Sequence, residues 1–152
     1  MSASPSPLIV LGGNLVGTAV FGAILNALFG PKRALTIGAG IFGTIFIGFG
    51  INAILRPEHA LSFFEWDYPA EPASRELLDR VMIIYGARDM FMGVAIYAAA
   101  LFGSRKALGA ILIAAGATAG VDGLVCKMSE GGEWAHWGYA PMLTAVGVLL
   151  MR

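Results

Sequence analysis

Long apolar runs separated by short polar punctuation dominate the chain. Leu8 to Phe29 contains no charged residue and stops at Gly30-Pro31-Lys32-Arg33. Ala34 to Leu55 is a second uncharged run, closed by Arg56-Pro57. At 1.5 Å per residue each would reach roughly 33 Å as a helix, enough for a hydrocarbon core of about 30 Å. Residues 81–102 and 107–126 are two further runs, split by the turn Gly103-Ser104-Arg105-Lys106, and they carry Arg88, Asp89 and Asp122. A shorter run, residues 134–151, carries His136 near its start. The pattern predicts an all-α, polytopic transmembrane helix bundle of about five spans, a four-span core plus an N-terminal span, forming one domain over residues 1–152. Four spans, with the first run peripheral, is the alternative.

Glu58 to Arg80 is the polar stretch between the second and third runs. Within it, residues 58–68 predict an interfacial helix or loop on the membrane surface, with Trp66 and Tyr68 as headgroup-level anchors. Ser74 followed by Glu76 and Asp79 reads as the cap and acidic first turn of the next helix.

Composition agrees with a membrane class. The chain is 57% hydrophobic and only 13% charged, whereas soluble domains carry about 25% charged residues. Its 21 glycines show no G-X-Y period, so they predict close helix packing. Gly13-x-x-x-Gly17 and Gly116-x-x-x-Gly120 are small-xxx-small pairs, and Gly38, Gly43 and Gly48 recur every five residues. Such faces seat neighbouring helices or serve a homo-oligomer. Asn14 and Asn26 read as hydrogen-bonding groups between helices.

Charge sets orientation and excludes partners. With the N-terminus away from the cytoplasm, the cytoplasmic segments hold Lys32, Arg33, Arg105, Lys106 and Arg152 and no acidic residue, while Glu58, Glu65, Asp67, Glu71, Glu76, Asp79, Glu130 and Glu133 lie opposite. That is the positive-inside bias. Net charge is zero and no basic run exceeds two residues, so no nucleic-acid partner is expected. Met1 to Pro7 lacks the basic region of a secretory signal, and the run after it is too long for a signal core, so it reads as a retained span.

The single cysteine, Cys126, rules out an internal disulfide or a Cys-x-x-Cys motif. Two histidines without a regular spacing give no expected metal site. The sequence has no nucleophile elbow, no P-loop and no dinucleotide fingerprint placed after a strand, so no cofactor is expected. A channel lacks a polar stripe along a whole helix, and a secondary transporter would need an inverted repeat.

Depth is the most informative feature of the polar residues. Asn52 near the end of the second span, Arg88 and Asp89 in the third, Asp122 late in the fourth and His136 at the start of the fifth all fall in the same half of the membrane. Buried ions cost at least about 2.5–3.5 kcal/mol on insertion scales, so these groups face inward and pair. Arg88 and Asp89 are about 100° apart on a helix and are not expected to face the same way. One carboxylate then needs Lys127 or His136 as partner, or is protonated, which is raw material for acid–base catalysis. The competing reading is a structural Arg88–Asp122 salt bridge, with Asp89 accepting backbone and hydroxyl hydrogen bonds. Trp134, Trp137 and Tyr139 read as belt residues or as pocket walls.

Three segments carry a resemblance: Gly86-Ala-Arg-Asp-Met-Phe-Met-Gly93, Val121-Asp122-Gly123 and His136-Trp-Gly-Tyr-Ala-Pro141. Together they resemble a family of small, mostly fungal integral membrane proteins of unknown function, over about Leu35 to Leu150. The resemblance implies a helical membrane bundle associated with fungal small-molecule metabolism, and carries no established reaction. The expected location is an integral protein of the endoplasmic reticulum or another endomembrane.

The resulting expectation is a membrane-embedded enzyme performing cofactor-free isomerisation, cyclisation or hydration on a lipophilic small molecule. Asp122 or Asp89 would be the acid or base, His136 the proton relay and Arg88 the stabiliser of negative charge. Trp137, Tyr139, Trp66, Asn52 and Lys127 would line the substrate site. The alternative is a non-enzymatic lipid-binding module or scaffold subunit whose buried charges lock the fold.

Overall fold

A computed structural model describes residues 6–129 and 131–152. The first five residues and Glu130, assigned above to the acidic side, lie outside the described residues. Seven helices follow in order: α1 Pro7–Phe29, α2 Pro31–Leu55, α3 Pro57–Leu61, α4 Pro72–Phe102, α5 Arg105–Met128, α6 Glu133–Trp137 and α7 Ala140–Met151, with a 3-10 turn Ser62–Phe64 after α3. No strand occurs among the described residues. Helices α1, α2, α4 and α5 are long and apolar enough to cross a membrane.

Proline starts most of these helices, because its missing N–H costs nothing in a first turn. It stands there in α1, α2, α3, α4 and α7. The same chemistry splits the expected fifth span. Chain direction breaks at Gly138-Tyr139 and restarts with Pro141 in the first turn of α7, so residues 134–151 are not one helix. Helix α7 alone has 12 residues, about 18 Å, which is too short to cross a core of about 30 Å. Helix α4 departs in the other direction. It begins at Pro72, and its cap is Glu71, not Ser74: the Glu71 carboxylate accepts from the backbone N–H groups of Ala73 at 2.9 Å and Ser74 at 2.6 Å. Ser74 therefore lies inside the first turn. At 31 residues α4 is about 46 Å long, so its first turns, with the Glu76–Arg80 ion pair, extend beyond the apolar core.

Two antiparallel helix pairs build the bundle, and glycines spaced by seven hold each pair together. In the α2–α4 pair Gly43 faces Gly93 and Gly50 faces Gly86. A Cβ on Gly50 would stand 2.5 Å from the Gly86 carbonyl oxygen, and one on Gly93 would stand 2.5 Å from that of Gly43. In the α5–α7 pair Gly109 faces Gly147, and Gly116 faces Thr144. Spacing by seven is the repeat of helices that stay in contact over several turns, and small residues let backbones approach where lipid offers no hydrophobic drive. The four- and five-residue glycine spacings do not describe these seams. Gly13, Gly17, Gly38, Gly48 and Gly120 have no atom within 4 Å of an added Cβ, and Gly43 and Gly116 serve the seven-residue pattern instead. Ala39, Phe46, Ile96, Leu108, Leu112 and Leu143 form the shared core between the pairs.

Helix α1 is the outlier, with Leu25 its one buried residue. At the end where α1 meets α2 and α4 meets α5, the Arg105 guanidinium donates to the Lys32 carbonyl at 3.3 Å, so the basic turns share one end of the bundle. Segment 58–68 packs against the opposite end of the bundle. Ala60, Leu61 and Phe64 are buried, because the segment offers apolar side chains that the bundle end leaves uncovered. Glu65 turns the chain with φ 57°, a left-handed conformation uncommon outside glycine. Gly132, at φ 86°, lies so close below that a Cβ would meet the Phe64 carbonyl oxygen at 2.9 Å.

Candidate functional site

Arg88 and Asp89 project from the middle of α4, and Asp122 from the last third of α5. Counting from the basic end, Arg88 and Asp122 lie about 20–25 Å up the bundle, inside a core of about 30 Å. All three form one cluster. Arg88 Nη1 donates to Asp122 Oδ1 at 2.8 Å and Nη2 to Asp122 Oδ2 at 2.9 Å, a bidentate fork across the α4–α5 contact. Its Nε and Nη2 also donate to Asp89 Oδ1, at 3.1 and 2.9 Å. The expectation that neighbours in sequence would face apart is overturned. The Arg88 stem is long enough to fold back along α4, so one guanidinium serves both carboxylates. Asp89 is 1% exposed and Asp122 8%. Neither bonds to Lys127 or His136; Asp89 is held by the Arg88 guanidinium, with the Tyr85 hydroxyl beside it.

The Tyr85 ring lies under the guanidinium, 4.2 Å from its centroid to Arg88 Cζ, so a cation–π contact completes the fixing of Arg88. Tyr85 also lines a cavity of about 130 Å³ with Phe49, Phe63, His136 and Tyr139. At about 30 Å³ per water this space holds roughly four waters or a small organic group. His136, carried by α6, is 5% exposed. Neither ring nitrogen has a hydrogen-bond partner, although the Phe63 backbone approaches the ring. Phe64 holds the imidazole in place with ring centroids 4.9 Å apart, and itself packs on Tyr85 and Trp66. Leaving a buried polar atom unpaired costs about 1–3 kcal/mol, so a buried, unpartnered imidazole on a residue that lines a cavity is a site that asks for a hydrogen-bonding occupant.

Other expected site residues fall outside this cavity. Trp137 turns toward α5, where Nε1 donates to the Gly120 carbonyl at 3.0 Å and the indole covers Gly123. Lys127 is exposed, with its ammonium 5.4 Å from the Trp137 ring centroid. Asn52 Oδ1 accepts from the His59 Nδ1–H at 3.0 Å, while its amide nitrogen is buried without a partner. The Trp66 indole N–H is buried and unpartnered, with the ring packed against the cluster of Met82 and Leu61.

Residues 43–150 match the model of a family described as a domain of unknown function (DUF4267). The chain belongs to this family. The match begins within α2, later than the Leu35 start expected from the motifs, and takes in every residue of the charged cluster and of the cavity. No curated protein and no solved structure matches the chain.

Sequence reasoning missed Tyr85, Phe49, Phe63 and Phe64. Tyr85 had a usable signal, since three residues before Arg88 on a helix is the same face. Phe64 had none, because it enters from a loop whose burial no periodicity reports.

Proposed function

We propose that this protein is a membrane-embedded enzyme that carries out cofactor-free acid–base chemistry on a lipophilic small molecule, with His136 as the group that moves the proton. Isomerisation, cyclisation and hydration are the reaction classes in view, and the motif resemblance favours a setting in fungal small-molecule metabolism. One observation carries the reading: His136 brings two unpartnered ring nitrogens to an aromatic-walled cavity beside a fixed charged cluster. A neutral imidazole presents one donor and one acceptor, the minimum for taking a proton from one atom and returning it to another.

Charge arithmetic supports this division of labour. Arg88 against Asp89 and Asp122 leaves the cluster one negative charge in excess when all three are ionised. A proton gained by His136 would bring the local total to zero. The carboxylates are committed to Arg88, so they act by holding the field and by fixing Tyr85 at the cavity wall. Tyr139 completes the wall beside His136, with centroids 6.4 Å apart.

The test compares membranes expressing the wild type and His136→Gln by profiling lipophilic extracts. The variant should retain its melting temperature and lose about 10²–10⁴-fold of the product formed. An identical product profile for His136→Gln and wild type would sink the reading. A second reading keeps the site without turnover: the full use of both carboxylates by Arg88 suits a binding module. Native mass spectrometry would then find a small molecule carried by wild type and lost from His136→Gln, with no change in the extract.

A further inference from the structure

A second cavity, independent of the His136 site, lies toward the basic end between α1, α2 and α7. It measures about 630 Å³, within the range of about 300–1,000 Å³ typical of ligand clefts. Its wall is almost wholly apolar, with Phe21, Phe42, Leu149 and the glycines Gly17, Gly22 and Gly38 among its lining. These glycines differ from those of the helix seams. None of the three has an atom within 4 Å of an added Cβ, so they hollow the wall instead of seating a neighbouring helix. Thr18 turns its hydroxyl to Met142 Sδ at 2.9 Å, which leaves Asn26 as the polar side chain of the lining.

Charge identifies what fits the mouth. Pro31 lines the cavity, and the exposed Lys32 and Arg33 follow it directly. Arg105 is tied to the same place by its bond to the Lys32 carbonyl. No acidic side chain occurs before Glu58 or between Asp89 and Asp122, so this end of the bundle offers cations with no acidic neighbour in the helices that form it. An apolar slot with three cations beside its Pro31 wall is complementary to an acyl chain joined to an anionic phosphate. We propose that the α1–α2–α7 groove binds one anionic phospholipid, its acyl chain against Gly17, Gly22 and Gly38 and its phosphate at Lys32, Arg33 and Arg105. The positive end faces the leaflet in which anionic lipids concentrate when the basic turns are cytoplasmic.

The test uses purified full-length protein in mixed micelles of phosphatidylglycerol and phosphatidylcholine with identical chains, and counts retained lipid by native mass spectrometry. Wild type should retain one phosphatidylglycerol in preference to phosphatidylcholine. Replacing Lys32, Arg33 and Arg105 by Gln should lower that retention about fivefold for each charge removed, toward the phosphatidylcholine level. Gly38→Leu, which fills the slot from a position with open space, should lower retention of both lipids while leaving every cation in place. Equal retention of the two lipids by wild type overturns the proposal, and so does phosphatidylglycerol retention at the wild-type level in a folded Gly38→Leu protein.

Discussion

Replacing Arg88 by Met removes the one cation that serves two buried carboxylates, and its cost follows from the geometry. Arg88 donates four hydrogen bonds, two to each aspartate. Interhelical hydrogen bonds within a membrane average about 0.6 kcal/mol each, so the two that cross to Asp122 are worth about 1 kcal/mol. Removing one partner of a buried ion pair costs more, about 3–5 kcal/mol, because the remaining charge is stranded. Protonation of Asp89 and Asp122 limits the loss, which places the expected destabilisation at about 3 kcal/mol. The assay is reversible unfolding in mixed micelles followed by helicity, with Arg88→Met beside the neutral triple variant Arg88→Met, Asp89→Asn and Asp122→Asn. The triple variant should recover much of the loss, since buried ion pairs exchanged for neutral groups are often close to neutral in stability. Arg88→Met unfolding within about 0.5 kcal/mol of wild type, the range of an ordinary surface change, would refute the argument. A triple variant as unstable as the single one would also refute it, by showing that shape and not charge is what Arg88 supplies.

Gly86→Ala should cost about 1–3 kcal/mol, because its Cβ would lie 2.6 Å from the Gly50 carbonyl oxygen, while Gly120→Ala, into open space, should be neutral or slightly stabilising; the same unfolding assay separates them. Glu71→Ala should fray the first turn of α4, seen as faster amide exchange at Ala73 and Ser74. The hydrogen bonds from Ser74 and Ala73 hold the Glu71 carboxyl below its ordinary value of 4.5. This cap therefore contributes above pH 4.5 and is lost as pH falls through the lowered folded value; fraying in wild type at neutral pH would contradict it. The Tyr68 hydroxyl donates to Asp79 Oδ1 at 2.5 Å, and that bond, with burial and the Asp79 charge, raises the phenol above its ordinary 10.0. Its contribution is present below pH 10 and lost as pH rises through the higher folded value. Phenolate absorbance should appear at lower pH in Asp79→Asn than in wild type.

The helices were legible in the sequence because an uncharged run long enough to cross a bilayer has few other folds open to it. The four deepest polar residues were legible for the same reason, since a charge inside a run must find a partner. The Arg88–Asp122 pair was legible as the competing reading, but the sharing of Arg88 with Asp89 was not. Helical angles describe where Cβ atoms point, and the reach of an arginine stem exceeds that angle, so Arg88 meets both its sequence neighbour and Asp122. Glycine spacing misled in a related way. Four-residue pairs are frequent wherever glycine is abundant, and only the facing helix decides which count; the repeat by seven appears once Gly43 is set against Gly93 and Gly50 against Gly86. Burial of Trp66 and Phe64 depends on a loop closing over a bundle end, and no local signal in residues 58–68 carries that information.

The two cavities divide along the family boundary. Every residue of the Arg88 cluster and of the His136 cavity lies within 43–150, the part shared with the family. The groove is built from α1 and the first half of α2, all before residue 43, with only Val146 and Leu149 drawn from the shared part. Helix α1 leaves that groove open because it offers no seam: its glycines meet nothing, and one residue of the helix is buried. A helix held so loosely contributes little to the fold, so its removal should leave the α2–α4 and α5–α7 seams and the Arg88 fork intact. What its removal takes away is the wall against which an acyl chain would lie. On the lipid proposal, helix α1 matters as a wall of that groove more than as part of the core it scarcely enters.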